Sequence, residues 1–408
     1  MTQLSDAQAI RDDTPPAELA SAMDAAGARR DGGLLVMVAA MPAEQLQRVV
    51  AALRESFSPL DFLIATPSEA AFELGSGLSI ISVPSIGGTW PLSAADFANA
   101  WQVAEARNLG AILMLGPESG TLGSTALREL PSAVLAGATD LVMPCYELPV
   151  HAGLVNSAIL FPVVRALFAS HIRFPLAIDL ALSRRMAERL AIVAKSKTGN
   201  PGDLLLWPVS EASVGGFAIQ EVDVGTRALP QPHDTDFNSM FAQVVGSLFA
   251  DIEAKAAFWQ RARRVPPRRP QSASHTDGEG TSDVLRMIEA FRLANTNLQE
   301  IWALVLSPNS LVGLKRLSSV EPADFRMPEG LWARIVFDFL IAYKLRVINR
   351  SHLLGALIPI YLAWVAGHIS ITRSGTTAEQ HIEAVAAAFE ADKPYLVSRW
   401  RWPDRFNP

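Results

Sequence analysis

The sequence predicts an α/β fold: a mainly parallel sheet with helices on both faces, followed by a C-terminal helical region. Short, continuous apolar runs alternate with segments of helical periodicity over roughly the first 260 residues. A stretch rich in proline, serine and charged residues then interrupts this alternation. Beyond it, apolar residues recur at helical spacing to the end of the chain.

The predicted strands are apolar runs of the kind that a sheet covered on both faces requires. They cover 33–41, 61–66, 78–85, 111–116, 140–146, 203–210 and 218–225. Predicted helices cover 42–57, 93–110, 124–138 and 237–264. Pro42 suits a first helical position, Ser93 an N-terminal cap, and Gly110 a helix end.

Changes in composition divide the chain into four parts. A polar N-terminal tail at 1–30 precedes the α/β domain at 31–264, and a flexible linker or loop at 265–283 leads to a helical domain at 284–408. The linker contains arginines that suggest phosphate binding, although a solvated linker is the simpler interpretation. The apolar segment 353–371 is near membrane-spanning length, but it contains Pro359 and His368, so we expect a buried helix rather than a span.

Composition excludes some classes of function. The 408 residues carry a formal net charge of −6, which argues against general nucleic-acid binding. The single cysteine, Cys145, cannot form an internal disulfide, so a reducing cytoplasm is the expected location. The N-terminus has acidic residues and no apolar core, unlike a secretory signal.

The segment 140–191 carries the most informative pattern. Its helix "FPVVRALF" includes Pro162, Arg165 and Leu167, and its later run "RFPLAIDLALS" includes Arg173 and Asp179. Together with "MFAQVVGSLF" (240–249) and the helical segment 338–364, it resembles retaining GT-A glycosyltransferases of the glucosylglycerate and mannosylglycerate synthase type. The matches are scattered over about 230 residues in the same order. The resemblance implies a GT-A-like, Rossmann-like domain and a nucleotide-sugar donor.

The resemblance also implies roles for five residues. Asp179 corresponds to an acidic position beside the sugar and acceptor, which makes it the candidate catalytic residue. The acceptor-binding candidates are His151, Asn156, Arg165 and Arg173. From the residues alone, other roles stay open: Asp179 lies in an apolar run, where an ionised carboxylate needs a partner, and it could cap the helix near Ser183 or pair with Arg173 or Arg184.

The elements that would bind metal and nucleotide depart from the family pattern. The strand "AILMLG" is followed by "PESG" rather than by an Asp-x-Asp-like element that would hold magnesium or manganese. Only Glu118, with a displaced His233, offers a rebuilt metal site, so no cofactor is expected otherwise. The remaining donor-binding candidates are Glu69, Gly87, Gly88 and Arg227, with the arginines of 261–269 as a further source of positive charge.

The absence of both the metal-binding and the nucleotide-binding elements favours a glycosyltransferase-like protein that has lost metal-dependent catalysis. Such a pseudoenzyme candidate would act as a binding or partner subunit, in a homo-oligomer or in a hetero-oligomer with an active relative. The alternative is an active, metal-independent transferase that moves a sugar from a nucleotide-sugar donor to a small hydroxy acid or similar acceptor. A dinucleotide-binding protein is a third interpretation, but the first strand lacks a Gly-x-Gly-x-x-Gly motif.

Two groups of side chains in the helical region have simpler interpretations. We expect four of its tryptophans to fill the core, although they could instead form an apolar contact surface; they are Trp302, Trp332, Trp364 and Trp400. We expect His352 and His368 to be buried core histidines rather than ligands.

Overall fold

The computed structural model describes residues 33–58, 61–67, 78–84, 90, 92–199, 204–227, 236–263 and 284–403. Seven strands form one sheet in the order β3-β2-β1-β4-β6-β5-β7, in which all paired strands are parallel except β6. The strands are β1 (Leu34–Val38), β2 (Phe62–Thr66), β3 (Ile80–Ser82), β4 (Ala111–Leu115), β5 (Leu141–Glu147), β6 (Asp179–Ser183) and β7 (Ile219–Thr226).

Helices cover both faces of this sheet, which confirms the predicted fold class. The helices of the α/β part are α1 (Ala43–Ser56), α2 (Ala94–Ala106), α3 (Ser124–Leu135), α4 (Phe161–Phe168), α5 (Arg184–Ser196), α6 (Pro208–Gly215), α7 (Phe237–Ala254) and α8 (Ala256–Trp259). α1 packs on α3, and α2 packs on α5. The central strands β1, β2 and β4 are buried along their whole length, as their unbroken apolar sequences predict.

The C-terminal region is helical, as predicted. It contains α9 (Val284–Asn297), α10 (Gln299–Val305), α11 (Pro308–Ser318), α12 (Glu329–Leu345), α13 (Arg350–Arg373) and α14 (Ala378–Arg401). α14 packs against α4, and α13 packs against α7, so one buried core runs through the sheet unit and the helical region. The Trp332 indole donates a hydrogen bond of 2.8 Å to the carbonyl of Ala158, which fastens α12 to the segment before α4.

The helix α13 is a buried core helix, as predicted. Among the described residues it alone is long and apolar enough to cross a membrane by length and composition, and 72% of its most apolar window is buried. Four tryptophans of the helical region are also buried, so the core interpretation is confirmed for Trp302, Trp332, Trp364 and Trp400, whereas Trp402 is exposed. His368 is fully buried, but the prediction for His352 was wrong, because that residue is exposed near the start of α13.

Two local predictions fail around β6. The run 203–210 was predicted as a strand, but Pro208 begins helix α6, because proline suits the first helical position and cannot donate to a strand ladder. Conversely, Asp179–Ser183 is an antiparallel strand that the sequence did not predict. Ser183 then caps α5 by accepting a hydrogen bond from the Met186 backbone.

Some sequence predictions lie outside the described residues. They are the tail at 1–30, the linker at 265–283, and the candidates Glu69, Gly87, Gly88 and His233. The division into domains therefore stays a prediction.

Candidate functional site

The candidate site lies where the end of β4 meets the start of β6. Because these strands are antiparallel, the last residue of β4, Leu115, is paired with Asp179, the first residue of β6. The backbone N–H of Gly116 then donates a hydrogen bond of 3.1 Å to Oδ1 of Asp179. This register places the acidic side chain at the edge where open α/β sheets bind their ligands.

Arg227, just after β7, forms a buried ion pair with Asp179. Its Nε lies 2.8 Å from Oδ2, and its Nη2 lies 3.2 Å from Oδ1, so the guanidinium binds both carboxylate oxygens. Nη2 also donates a hydrogen bond of 2.6 Å to the carbonyl of Pro117. Neither side chain of the pair has any exposed surface.

A β-bulge lies next to the Asp179–Arg227 pair. The register between β5 and β7 shifts at Cys145 and Tyr146, where Gly225 adopts a left-handed φ of +68°. Tyr146 lies at this shift, and its hydroxyl donates a hydrogen bond of 3.0 Å to Oδ2 of Asp179. Burial, and then the negative charge of Asp179, raise the pKa of Tyr146 well above 10.0, so the phenol remains a donor.

The hydrogen bonds of Asp179 are saturated. Each carboxylate oxygen accepts two, one from Arg227 and one from Gly116 or Tyr146. A carboxylate has about four lone-pair positions, so none remains for a sugar hydroxyl or a metal ion. Asp179 therefore neither caps α5 nor pairs with Arg173 or Arg184, the three structural roles that the sequence had suggested.

The other candidate beside this carboxylate, Glu118, is also engaged. Its Oε1 accepts a hydrogen bond of 2.6 Å from the amide of Gln45 on α1, and its backbone has a left-handed φ of +61°. Among the residues that the structure describes, no group of three or more histidine, cysteine, aspartate or glutamate side chains is arranged to hold a metal ion. The described side chains at these strand ends therefore do not fit a magnesium or manganese site.

The acceptor-binding candidates lie along a seam with the C-terminal helices. Asn156 begins a π-helical turn, Asn156–Leu160, and donates a hydrogen bond of 3.0 Å to the carbonyl of Arg173. The Arg173 guanidinium lies over the Phe161 ring at 4.9 Å, and its Nε is 3.5 Å from Oε2 of Glu379 on α14. His151 is hydrogen-bonded to Thr372 of α13 at 3.3 Å.

Arg165, also at this seam, is 6% exposed and pairs with two carboxylates of α14. Its Nη1 is 2.5 Å from Oε2 of Glu383, and its Nε is 3.3 Å from Oε1 of Glu390. The basic acceptor candidates thus hold α14 against the sheet unit through its own glutamates. Their role in binding an acceptor stays a prediction.

The structure brings Asp179, Arg227 and Glu118 to one strand edge and places the acceptor candidates at the seam. Sequence reasoning missed Tyr146, whose only signal was the one aromatic side chain in its strand. It also missed the three glutamates of α14, which lie about 205–225 residues from the arginines that they bind.

Gly116 provides a test of how tightly this edge is packed. A Cβ added there would lie 2.8 Å from the carbonyl oxygen of Ile178, closer than real Cβ atoms come. We expect Gly116→Ala to lower the free energy of unfolding by about 1–3 kcal/mol, measured by urea denaturation. Gly330→Ala is the matched control, because nothing lies within 4 Å of its added Cβ. Equal stability of the two variants would contradict the packing described for β4 and β6.

Comparisons with known proteins return distant similarities. No family model matches the chain, and no curated protein matches it. Among solved structures, it is similar to glucosyl-3-phosphoglycerate synthase from Mycobacterium tuberculosis in complex with Mn²⁺, UDP-glucose and phosphoglyceric acid. That match has 18% identity and a TM-score of 0.39, and covers 58% of this chain and 82% of the other.

Mannosyl-3-phosphoglycerate synthase from Rubrobacter xylanophilus gives a similar result. It has 14% identity and a TM-score of 0.39, and the match covers 58% of this chain and 78% of that one. This chain is distantly similar in structure to these two synthases. Likeness at this level assigns no activity to it.

Proposed function

We propose that this chain is a glycosyltransferase-like protein that has lost metal-dependent transfer and acts as a binding or partner subunit. The observation that supports this is the saturation of Asp179 by Arg227, Gly116 and Tyr146. A donor sugar or metal ion that needed this carboxylate would have to displace the guanidinium. Displacement would leave a buried charge unpaired, which is strongly unfavourable.

The positive charge of Arg227 also disfavours binding of a metal ion at Asp179. It already balances Asp179 in a site with no exposed side-chain surface. A divalent cation beside the same carboxylate would be repelled by the guanidinium, and repulsion between like charges is strongest where water is excluded. In this proposal Arg227 takes the place that a metal would have in a working donor site.

The proposed partner is a second glycosyltransferase-like chain, in a homo-oligomer or a hetero-oligomer, and the proposed location is the cytoplasm. The proposed function involves no thiol chemistry. Cys145 is buried, and burial raises its pKa to about 12, so this cysteine is a poor nucleophile. Light scattering of the purified chain, alone and with co-expressed relatives, tests the assembly. A monomer under every condition would contradict this part of the proposal.

The experiment that tests the loss of catalysis is calorimetric titration with UDP- and GDP-sugars, with and without manganese. We expect no heat of binding that depends on manganese. Asp179→Asn is the matched variant, because it keeps the shape of the carboxylate but removes its charge. Manganese-dependent binding to the natural chain that is lost in Asp179→Asn would overturn the proposal.

A second candidate function, metal-independent transfer, is favoured by the cation at the strand ends. In that case Arg227 would leave Asp179 and bind the donor diphosphate. Donor binding would then be independent of manganese, abolished in Arg227→Met and partly kept in Arg227→Lys. An active transferase would release nucleoside diphosphate from the bound nucleotide sugar as the sugar is transferred to an acceptor. A binding subunit would not.

A further inference from the structure

Two buried histidines face each other between α13 and α14. The Nδ1 atoms of His368 and His381 lie 2.7 Å apart, and the rings are stacked on each other and on the indole of Trp364. His368 is fully buried and His381 is 4% exposed. Because a hydrogen bond between two ring nitrogens needs one proton, one ring carries Nδ1–H and the other presents a bare Nδ1.

Charged and titratable groups face this pair from the neighbouring elements. On α12, Glu329 lies 3.8 Å from Nε2 of His381. After β5, His151 meets the His368 ring edge-on at 6.4 Å between centroids, and it is hydrogen-bonded to Thr372. The pair therefore lies next to the contact that joins the segment after β5 to α13.

Two more groups complete the surroundings. Glu379 lies two residues before His381 on α14 and contacts Arg173. Arg373, at the end of α13, acts on His151, whose pKa is lowered first by burial and then by that positive charge. Loosening of the contact between α13 and α14 would therefore weaken both the His151–Thr372 hydrogen bond and the Arg173–Glu379 contact.

We propose that His368 and His381 form a proton-operated latch, which holds α13 and α14 together at neutral pH and releases them when both rings are protonated. A first proton, added at Nε2 of His381 while that ring donates through Nδ1–H, leaves the Nδ1–H···Nδ1 bond in place, and Glu329 lies near enough to balance its charge. A second proton converts the bare Nδ1 into a donor. Two N–H groups and two positive charges then face each other in a buried site.

The direction of the pH dependence follows from burial. Burial lowers the pKa of His381 below the ordinary 6.5, although the charge of Glu329 opposes the shift. At pH values between the folded-state pKa and the ordinary pKa of His381, the unfolded chain binds more protons than the folded chain. The free energy of unfolding therefore falls as the pH drops below 6.5 and through the lowered folded-state value.

The first test compares His381→Asn with the natural chain in urea unfolding between about pH 7.5 and about pH 5. The asparagine amide keeps a polar atom near the Nδ1 position but does not titrate. We expect the natural chain to lose stability below pH 6.5 and the variant to lose less. The control is His352→Asn, an exposed histidine on α13, the helix that carries His368, and this variant should keep the natural profile. An unchanged profile in His381→Asn would overturn the proposal.

A second measurement needs no variant. Amide hydrogen exchange of the natural chain, corrected for intrinsic rates, is compared at the two pH values. We expect protection in 148–155 and 366–386 to fall at the lower pH, because release of the latch opens these segments. Strand β4 should keep its protection. Equal changes in β4 and the two seam segments, or no change in any, would contradict a local latch.

Discussion

Replacing Arg227 with methionine is expected to lower the free energy of unfolding by about 3–5 kcal/mol, because it leaves the Asp179 carboxylate buried without its cation. Methionine fills part of the volume, so the loss reports mainly on charge. The measurement is the urea midpoint at neutral pH. Arg184→Met is the matched control: its ion pair with Glu105 is partly exposed, at 38% and 48%, and we expect a loss of about 1 kcal/mol or less.

A double variant separates the interaction from general damage. Arg227→Met combined with Asp179→Asn removes both charges, so we expect it to be more stable than Arg227→Met alone. The Gly116 N–H can still donate to the asparagine oxygen, and the Tyr146 hydroxyl can accept a hydrogen bond from the asparagine NH₂ group. If Arg227→Met loses no more stability than Arg184→Met, the ion pair does not hold the strand edge together.

The second large effect is expected at Lys255, between α7 and α8. Its Nζ lies 2.7 Å from Glu211 and 2.8 Å from the hydroxyl of Ser210, and it also contacts Asp251. All four residues are buried. We expect Lys255→Met to lower the free energy of unfolding by about 3–5 kcal/mol, since two carboxylates lose their shared cation.

This loss should depend on pH. Burial raises the pKa of Asp251, while Lys255 opposes the rise. Without the lysine, a protonated Asp251 is favoured further, and its contribution is present at low pH and disappears as the pH rises through the folded-state pKa. The deficit of Lys255→Met, measured by urea unfolding, should therefore be smaller at about pH 5 than at about pH 7.5. Lys315→Met, an exposed lysine on α11, should show no such change.

The fold class was predictable because the sheet's central strands are unbroken apolar runs. β1 and β4 are buried on both faces, and such runs are a local property of the sequence. β6 could not be predicted in the same way, because its first residue is an aspartate and its antiparallel pairing with β4 and β5 is a tertiary feature. The run 203–210 was wrongly predicted as a strand, because apolar residues around Pro208 fit the start of a buried helix as well as a strand.

The candidate site was only partly predictable. Both Asp179 and Arg227 were candidates, but for separate roles, because nothing local connects residues that are 48 positions apart in the chain. Their pairing depends on the antiparallel register of β6 and on the bulge in β7, which are tertiary features. The same reason explains why the arginines of the seam were not connected with the glutamates of α14.

Manganese binding followed by electron paramagnetic resonance tests the central claim most directly, since the signal of free Mn²⁺ falls when the ion is bound. The claim is that Arg227, Gly116 and Tyr146 together occupy every position at which Asp179 could bind a metal or a donor. We predict that adding the natural chain, with or without UDP-sugars, leaves the free-ion signal unchanged. A stoichiometric loss of that signal, present in the natural chain and absent in Asp179→Asn, would contradict the account.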